Sequence, residues 1–414
     1  MPPPMSQSSY NYTANLIKSA CKNIAEKSMS EAASRLRKNK SVADVGVSVD
    51  GTWQRKGFSS TLGVITAISV DIGKVLDVAI LSKSCKGCTK MKKVVKSNPK
   101  LYERWKLTHR CNLNHKGSSP AMEQAGAKLI FERSIAKHNL CYTSFYGDGD
   151  SKAYPAVIDT YEKQKKKIEK MECIGHYQKR VGCRLRKLKQ TTKGLGGRGK
   201  LTDAKIDVLQ NYFGIALRQN TGNLDAMKQS CLASMYHVAG YHESCPKSSN
   251  SWCQYQADKI NNTNNFKSKG ELPVDVRKAI LPIYKDLCKE EMLAKCLHGK
   301  TQNPNESFNG TIWNRVPKAN HVGLSTLCFG VYDAIAHFNY GEKAALDTMK
   351  LLNVNPGYYM TKSCSKVNKK RIRQSAYKMS SPQKKRRAIL RHSKKKGNDK
   401  ITEEEGTVYE AGGF

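Results

Sequence analysis

The chain has 414 residues, which is enough for one large domain or for two to three ordinary ones. A hydrophobic content of 39 % allows a buried core and excludes a wholly disordered basic protein. The 72 Lys and Arg residues outnumber the 34 Asp and Glu residues and give a formal net charge of +38, which favours a phosphate-rich partner such as nucleic acid.

The first segment, residues 1–40, is predicted to be disordered at its start and then helical. Residues 1–12 open with Met-Pro-Pro-Pro-Met-Ser-Gln, which lacks the apolar region of a signal peptide. Apolar residues recur with helical spacing over residues 14–38. No apolar stretch in the chain approaches the roughly 20 residues that cross a bilayer, so no membrane partner is expected.

Three strands are predicted next. The first, residues 42–50, alternates valine with other residues and ends at Asp50. Residues 61–70 and 75–81 predict the second and third strands. A turn at Asp71–Gly73 separates the second strand from the third, and the three strands are predicted to be antiparallel.

Residues 83–116 are basic, bear several Cys and His residues and have little core pattern, so they predict a small inserted unit, here called the Cys/His module. Thiolates and imidazoles at these spacings suit a tetrahedral zinc ion, and a small unit without its own core needs such a staple. The predicted zinc ligands are Cys85, Cys88, Cys111 and His115, with His109 as the alternative to His115.

A helix and a fourth strand follow the Cys/His module. Residues 119–137 predict the helix, with Ser119 as its N-cap. Residues 140–146 predict the strand, and the string Gly-Asp-Gly-Asp-Ser follows it at once. Of the two acids in that string, Asp148 lies nearer the end of the strand than Asp150.

The rest of the folded region is predicted to be mostly helical. Residues 153–168 predict a helix that ends in a lysine run, and residues 171–181 predict a buried segment. Residues 193–200 form a basic, glycine-rich loop without the Lys-Ser/Thr of a Walker motif, so a linker or a DNA-backbone loop is favoured. Helices are predicted over residues 201–295 and again over 324–351.

The tail, residues 361–414, is predicted to be basic and disordered. It carries blocks of like charge, which are typical of segments that bind nucleic acid or nuclear-import receptors. The DNA-binding residues predicted there are Lys384, Lys385, Arg386 and Arg387. A nuclear location is therefore expected.

Three strands, a helix, a further strand and acids at the ends of strands one and four predict an α/β fold with a ribonuclease-H-like mixed sheet. In that architecture the first and fourth strands are neighbours, so Asp50 and Asp148 would meet, and Glu306 would come from a later helix. The long gap before Glu306 predicts an inserted helical domain. The predicted parts are the segment 1–40, the first part of the core over 41–192, the inserted domain over 193–295, the core completion over 296–360 and the tail.

The chemistry explains why three acids would converge. Two divalent ions need hard oxygen ligands when one ion activates an attacking hydroxyl and the other stabilises a leaving oxygen. Each acid alone could be an ordinary turn or cap residue. In this order and context, Asp50, Asp148 and Glu306 predict a metal site acting on a polyanion.

Two further zinc groups are predicted, because 14 cysteines without a secretory signal argue against a disulfide framework. The first set is Cys173, His176, Cys296 and His298, and the second is His237, His242, Cys245 and Cys253. For the first set, buried structural Cys and His residues are the alternative.

Three strings resemble those of Mutator-like transposases, which belong to eukaryotic cut-and-paste elements. They are Asp-Gly-Thr-Trp-Gln-Arg-Lys-Gly at 50–57, Tyr-Gly-Asp-Gly-Asp-Ser-Lys at 146–152 and Gly-Lys-Thr-Gln-Asn-Pro-Asn-Glu-Ser-Phe-Asn at 299–309. The pair Cys173 and His176 resembles the Cys-x-x-His signature of the same family. The resemblance covers roughly residues 40–350.

The resemblance implies a DDE transposase that cleaves and joins double-stranded DNA with Mg²⁺ or Mn²⁺ and works as a dimer or larger assembly. It implies Asp50, Asp148 and Glu306 as the ion ligands, with Asp150 as the alternative second acid. We expect Trp53, Arg55 and Trp313 to line the DNA channel, or the tryptophans to pack in the core.

Two other functions fit the same residues. One is a domesticated DNA- or chromatin-binding protein without catalysis, and the other is a ribonuclease-H-like nuclease with a different substrate.

Overall fold

A computed structural model describes residues 5–38, 40–55, 59–95, 97–147, 152–249, 251–263, 265–266, 271–380, 382–384, 386–387, 389–390 and 393. A five-stranded mixed sheet lies at its centre. The strands are β1 (Ala43–Trp53), β2 (Leu62–Ser69), β3 (Val75–Ser82), β4 (Leu140–Gly147) and β5 (Glu169–Glu172). The four predicted strands are confirmed, with boundaries that differ by at most three residues.

The strands lie in the order β3-β2-β1-β4-β5. The first three pair antiparallel, whereas β4 pairs parallel with both β1 and β5. The sheet is therefore mixed, and strand four lies beside strand one as expected. β1 and β3 run in the same direction and end at the same edge of the sheet.

The helices of the first half are α1 (Gln7–Arg37), α2 (Lys86–Val94), α3 (Pro99–Thr108), α4 (Ala121–Glu132), α5 (Ser134–His138) and α6 (Ala153–Val157). Those of the middle are α7 (Ile174–Thr191), α8 (Asp203–Gln219), α9 (Leu224–Val238), α10 (Gln254–Asn261), α11 (Val274–Leu287) and α12 (Glu290–Ala294). The last are α13 (Asn303–Arg315), α14 (Leu324–Tyr340), α15 (Lys343–Leu351) and α16 (Tyr358–Met379). None of the described helices is both long and apolar enough to span a membrane.

Helices cover both faces of the sheet, and β2 is consequently buried along its whole length. Successive strand residues point to opposite faces. Ile65 and Ala67 belong to the core that α4 forms with one face. Val64 and Ile68 belong to the core that α1, α13 and α14 form with the other. The result is a three-layer arrangement.

The middle helices form a separate helical unit with a hydrophobic core of its own. That core consists of residues between Ile174 and Cys296, including Phe213 and Tyr284. The unit therefore begins with α7 at Ile174, earlier than the predicted boundary at residue 193. α7 carries buried residues on one face because its apolar positions, such as Tyr177 and Val181, recur at helical spacing.

The helix predicted over residues 153–168 is largely wrong. Only α6 is helical there, followed by a short 3₁₀ turn at Glu162–Gln164 and then β5. β5 carries the sequence Glu-Lys-Met-Glu, whose charge conceals it from any strand pattern. Its strand conformation comes from pairing with β4.

Two other expectations are corrected. Ser119 is not the N-cap of α4: its hydroxyl donates to the carbonyl of Ser60 at 2.7 Å, whereas the Ser118 hydroxyl accepts from the Ala121 amide. The tail predicted to be disordered from residue 361 begins as α16. Its Lys and Arg residues are good helix formers, and no Gly or Pro interrupts it.

Asp77 on β3 is a buried carboxylate that ties α4 and α5 to the sheet. Its side chain has no exposed area and accepts hydrogen bonds from Arg133 at 2.7 and 2.9 Å and from Lys137 at 2.8 Å. Burial by itself raises the pKa of Asp77, but the bonds from Arg133 and Lys137 outweigh burial and hold the pKa below its usual value.

We expect Arg133→Ala to lower the free energy of unfolding by about 3 kcal/mol, because it removes the main partner of a buried charge. The matched control is Lys128→Ala on the same stretch, where Lys128 and Glu132 form an exposed ion pair. That control is expected to change stability by less than about 1 kcal/mol. Urea denaturation measures both, and equal stabilities for the two variants would contradict the assigned role of Asp77.

Candidate functional site

Asp50 lies near the end of β1, which is the middle strand of the sheet. The parallel pairing of β1 with β4 is described as far as Ser48 opposite Tyr146, and β4 ends at Gly147. Asp148 and Asp150, the two candidates for the second carboxylate, lie outside the described residues.

Side-chain amides of α13 attach that helix to the backbone of β1. The amide nitrogen of Gln302, the residue before the helix, donates to the Val49 carbonyl at 3.1 Å. The amide nitrogen of Asn305 donates to the Ser48 carbonyl at 3.1 Å. Gln302 and Asn305 are both buried, so these bonds form in a setting where a missing partner would be costly.

Further along, α13 and β1 are joined by hydrogen bonds between side chains. Asn309 donates to the Asp50 carboxylate at 2.7 Å, and the indole nitrogen of Trp313 donates to the Thr52 hydroxyl at 2.8 Å. Eight helical residues advance about 12 Å, and four strand residues advance about 13 Å. Because these lengths match, α13 stays in step with β1 from Ser48 to Thr52.

Glu306 shares the face of α13 that points to β1. At about 100° per residue, the strand-binding residues and Glu306 fall within one arc of about 100°. Glu306 precedes Asn309 by three residues, so the two are neighbours on the helix surface. The side chain of Glu306 is 59 % exposed and lies 3.7 Å from the imidazole of His176. α13 therefore presents an accessible carboxylate beside the residue that holds Asp50.

Cys173 and His176 lie at the start of α7, against the segment that leads into α13. The sulfur of Cys173 accepts from the backbone amide of Gln302 at 3.3 Å, and the backbone amide of Ile174 donates to the Lys300 carbonyl. With the contact from His176 to Glu306, both residues of the Cys-x-x-His string meet the helix that carries the glutamate.

The predicted zinc group of Cys173, His176, Cys296 and His298 is not formed among the described residues. His298 uses both ring nitrogens on the backbone: one faces the Lys295 carbonyl at 2.9 Å, and the other accepts from the Lys300 amide at 2.7 Å. Cys296 is buried in the core of the helical unit. The four side chains therefore have separate structural roles.

The electrostatic surroundings of Asp50 disfavour its charge. Burial, together with the negative charge of Glu123, raises the pKa of Asp50 to about 6. The Gly51 amide, Asn309 and His176 act in the opposite direction but do not compensate. A bound cation would supply the missing compensation.

Glu123 was not predicted as a site residue. It lies in the first turn of α4, where an acid is ordinary because it interacts favourably with the helix dipole, so nothing in the sequence distinguishes it. A Cβ atom placed on Gly51 would lie 3.3 Å from the Cγ of Glu123, so this side chain lies over the backbone next to Asp50. Asn305 and Asn309 were also missed as anchors, although their spacing of four within an Asn-rich string was a signal.

The residues predicted to line a DNA channel have mixed positions. Trp53 donates to the Ser119 carbonyl at 3.0 Å and joins the core beneath α4, and Trp313 donates to Thr52. Both indoles are partly buried, which favours packing. Arg55 is exposed beyond the end of β1. Of the predicted tail residues, Lys384, Arg386 and Arg387 are described as helical, and Lys385 lies outside the described residues.

In the Cys/His module the structure brings together Cys85, Cys88, His109 and Cys111, all of whose ligand atoms lie within 4.8 Å of one another. The His109 Nε2 atom is 3.3 Å from the sulfurs of both Cys85 and Cys88. Ligands of a tetrahedral zinc ion lie roughly 3.3–3.8 Å apart. The histidine is the alternative, His109, and not His115, whose ring faces the Ser118 carbonyl at 3.2 Å.

The second predicted set also meets in one place. The ligand atoms of His237, His242, Cys245 and Cys253 lie within 4.8 Å of one another. His237 is the penultimate residue of α9 and Cys253 directly precedes α10, so the group closes the loop between these helices. The Cys253 sulfur accepts a hydrogen bond from Cys245, which lowers the pKa of Cys253 below its usual value and favours a thiolate.

A family model described as Mutator-like transposase matches residues 1–253. The matched part contains Asp50 and Asp148 and stops before Glu306. No curated protein and no solved structure matches the chain.

We expect Asp50→Asn to stabilise the ion-free protein above pH 6 and not near pH 4. The pKa of Asp50 rises from its ordinary value of 3.8 to about 6 on folding, so proton uptake stabilises the fold at low pH. That stabilisation is lost as the pH rises from about 4 to about 6, by on the order of 2–3 kcal/mol. Urea denaturation in EDTA across pH 4–8 measures the difference between wild type and variant. A difference that does not change with pH would contradict the prediction.

Proposed function

The chain belongs to the Mutator-like transposase family, and on that premise we propose that it catalyses metal-dependent cleavage and strand transfer of DNA. Asp50, Asp148 and Glu306 are the proposed ion-binding carboxylates, with Asp150 as the alternative to Asp148. The observation that carries the proposal is the attachment of α13 along β1, which holds Glu306 beside the Asn309–Asp50 pair.

The sheet topology supports a ribonuclease-H-like core. In the order β3-β2-β1-β4-β5, the first three strands are antiparallel and β4 lies parallel beside β1, which is the adjacency expected from the sequence, whereas β5 was not predicted. Asp50 lies two residues beyond Ser48 in the sequence, and Asp148 lies two residues beyond Tyr146, the last described pair of the parallel ladder. Asp148 directly follows Gly147, the last residue of β4, so it is nearer to the strand end in the sequence than Asp150 and is the favoured partner of Asp50.

The donor set fits Mg²⁺ or Mn²⁺. Both ions prefer oxygen ligands. Burial, together with the charge of Glu123, raises the pKa of Asp50, and a bound cation would favour the ionised carboxylate. Divalent ions bound by these carboxylates would polarise the attacking and leaving oxygens of a phosphodiester. Asn309 orients Asp50, and His176 contacts Glu306, so both act as positioning residues.

The proposed reaction has two stages. In cleavage, a water oxygen bonds to phosphorus, the bond from phosphorus to the 3′ oxygen breaks, and a 3′-hydroxyl is left. In transfer, that 3′-hydroxyl bonds to a phosphorus of target DNA and displaces another 3′ oxygen, so the number of phosphodiester bonds is unchanged. Two DNA ends must be held together for joining, so we expect a dimer or larger assembly.

Two structural zinc ions complete the proposal. Cys85, Cys88, His109 and Cys111 would hold one, and the group of His237, His242, Cys245 and Cys253 would hold the other. Four protein ligands close each site and leave no open position for catalysis. The basic residues around Lys384 and Arg387 support import into the nucleus, where the DNA substrate lies.

We expect Asp50→Asn and Glu306→Gln to abolish Mg²⁺-dependent cleavage of DNA that carries the terminal repeats of the element. Loss of an ion ligand should reduce the rate more than the roughly 10–100-fold expected for a positioning residue such as Asn309. Single-turnover assays on labelled DNA with wild type, Asp50→Asn, Glu306→Gln and Asn309→Ala give the four rates.

Glu132→Gln is the matched control for this experiment, because Glu132 is an exposed acid at the end of α4. It should retain the wild-type rate. Cleavage that survives Glu306→Gln would exclude the proposed triad. Salt-sensitive DNA binding by a wild-type protein that never cleaves would favour a domesticated DNA-binding protein instead.

The purified protein should contain about two zinc ions per chain. Cys88→Ser and Cys245→Ser should each remove one, whereas Cys183→Ser, at an exposed cysteine outside both groups, should remove none. Inductively coupled plasma mass spectrometry counts the metal. An unchanged zinc content in Cys88→Ser would refute the first site.

A further inference from the structure

The Cys/His module carries the charge of a polyanion-binding surface. Residues 83–116 contain eleven Lys and Arg residues and one acid, Glu103. The exposed cations include Lys90, Lys92 and Lys93 on α2 and Lys100, Arg104 and Lys106 on α3. Among the described residues, none of these six is paired with a carboxylate. Their charge is therefore available to a partner.

The module has no hydrophobic core to fix these cations in place. None of the described residues of α2 and α3 is buried. The two helices meet at the Cys85, Cys88, His109 and Cys111 group, where the ring of Trp105 stacks on His109 with centroids 3.9 Å apart. The geometry of the basic surface therefore depends on this group and, in the proposed function, on its zinc ion.

Both ends of the module are attached at the edge of the sheet where Asp50 lies. The chain leaves at Ser82, the last residue of β3, whose amide donates to the Asn114 side chain at 2.6 Å. It returns at Ser119, whose carbonyl accepts from Trp53 at 3.0 Å. Trp53 ends β1 three residues after Asp50, which is about 10 Å along the strand.

We propose that the Cys/His module is a duplex-DNA-binding surface that holds the substrate beside the Asp50 edge of the sheet. The identity of the polyanion as DNA rests on the proposed function. The surface itself rests on the charge, the exposure and the attachment points of residues 83–116.

The shape of the surface fits duplex DNA better than duplex RNA. Helices of nine and ten residues span about 14–15 Å, along which B-DNA presents roughly eight to nine phosphate charges. The major groove of B-DNA admits an α-helix, whereas the deep, narrow major groove of A-form RNA does not. Leu107, which is 87 % exposed among the cations of α3, would gain an apolar contact with a thymine methyl group.

The test measures binding without cleavage. Full-length protein carrying Asp50→Asn is titrated onto a fluorescent, mixed-sequence duplex of roughly 30 base pairs in EDTA-free buffer without divalent ions, over a range of salt concentrations. Adding Lys90→Gln, Lys92→Gln and Lys93→Gln should weaken binding at least about tenfold. It should also flatten the plot of log K against log salt by about 0.9 for each lost phosphate contact.

The matched control neutralises Lys163, Lys165 and Lys167 in the same way. These three lysines are also exposed, but they precede β5 and therefore lie at the opposite edge of the sheet, where the parallel strands begin. The control should leave the salt slope unchanged. Equal losses in the two triple variants would overturn the proposal, because they would indicate a general effect of net charge.

A second variant tests the dependence on the zinc group. Cys111→Ser should release one zinc ion, detected with a chromogenic chelator, and weaken duplex binding to a similar extent while circular dichroism stays unchanged. Undiminished binding after zinc release would contradict the proposal. So would equal competition by duplex RNA of the same length.

The outcomes separate this proposal from the proposed function. A salt-slope change confined to the module variant supports the DNA-binding surface even if the wild-type protein never cleaves DNA. Cleavage that depends on Asp50 and Glu306, together with duplex binding that the module variant leaves intact, supports the proposed function and rejects the surface.

Discussion

The attachment of α13 to β1 is the constraint on which the candidate site depends. α13 follows Trp53 by some 250 residues in the chain, and the helical unit lies between them. Amide side chains of α13 bind carbonyls and side chains of β1 in register, because helix and strand advance by nearly equal lengths over this stretch. The apolar side of α13, with Phe308 and Ile312, packs into the core formed with α1 and α14. Polar pairing thus sets the position of the helix along the strand, and apolar packing sets its distance from the sheet.

Charge is distributed in two opposite ways in this protein. The surface is strongly basic, whereas the end of β1 gathers acids, with Asp50 buried and Glu123 close enough to oppose its ionisation. An acidic site repels phosphate unless its charge is offset. In the proposed function, bound cations would offset the carboxylates, so that a basic surface and an acidic site could both contact DNA. His176 and the amide of Asn309 reduce the repulsion only in part. Burial and the charge of Glu123 together therefore keep the pKa of Asp50 raised.

The helical unit and the Cys/His module differ in whether they have a hydrophobic core. The helical unit from Ile174 to Cys296 buries large aromatic residues and is stabilised by its own hydrophobic core. The Cys/His module has two short helices without a buried residue among those described, and these helices meet at the group of Cys85, Cys88, His109 and Cys111. Both outcomes follow from surface-to-volume scaling, because a short basic segment cannot bury enough apolar area to order itself. The same scarcity of core leaves nearly all of the module's surface free for charge.

The sequence by itself determined the first four strands, because alternation and turn residues are local signals. The adjacency of β1 and β4 was expected from the architecture that these elements indicate, and the sheet has it. It also determined which Cys and His residues form one group at 237–253. Tertiary structure alone decided that His109 and not His115 joins the first group, and that Cys173 and His176 contact the α13 segment rather than pair with Cys296 and His298. It also decided that Glu123 lies beside Asp50 and that a charged tetrapeptide becomes β5. These outcomes depend on distances between segments far apart in the chain, and no local pattern of side chains encodes such distances.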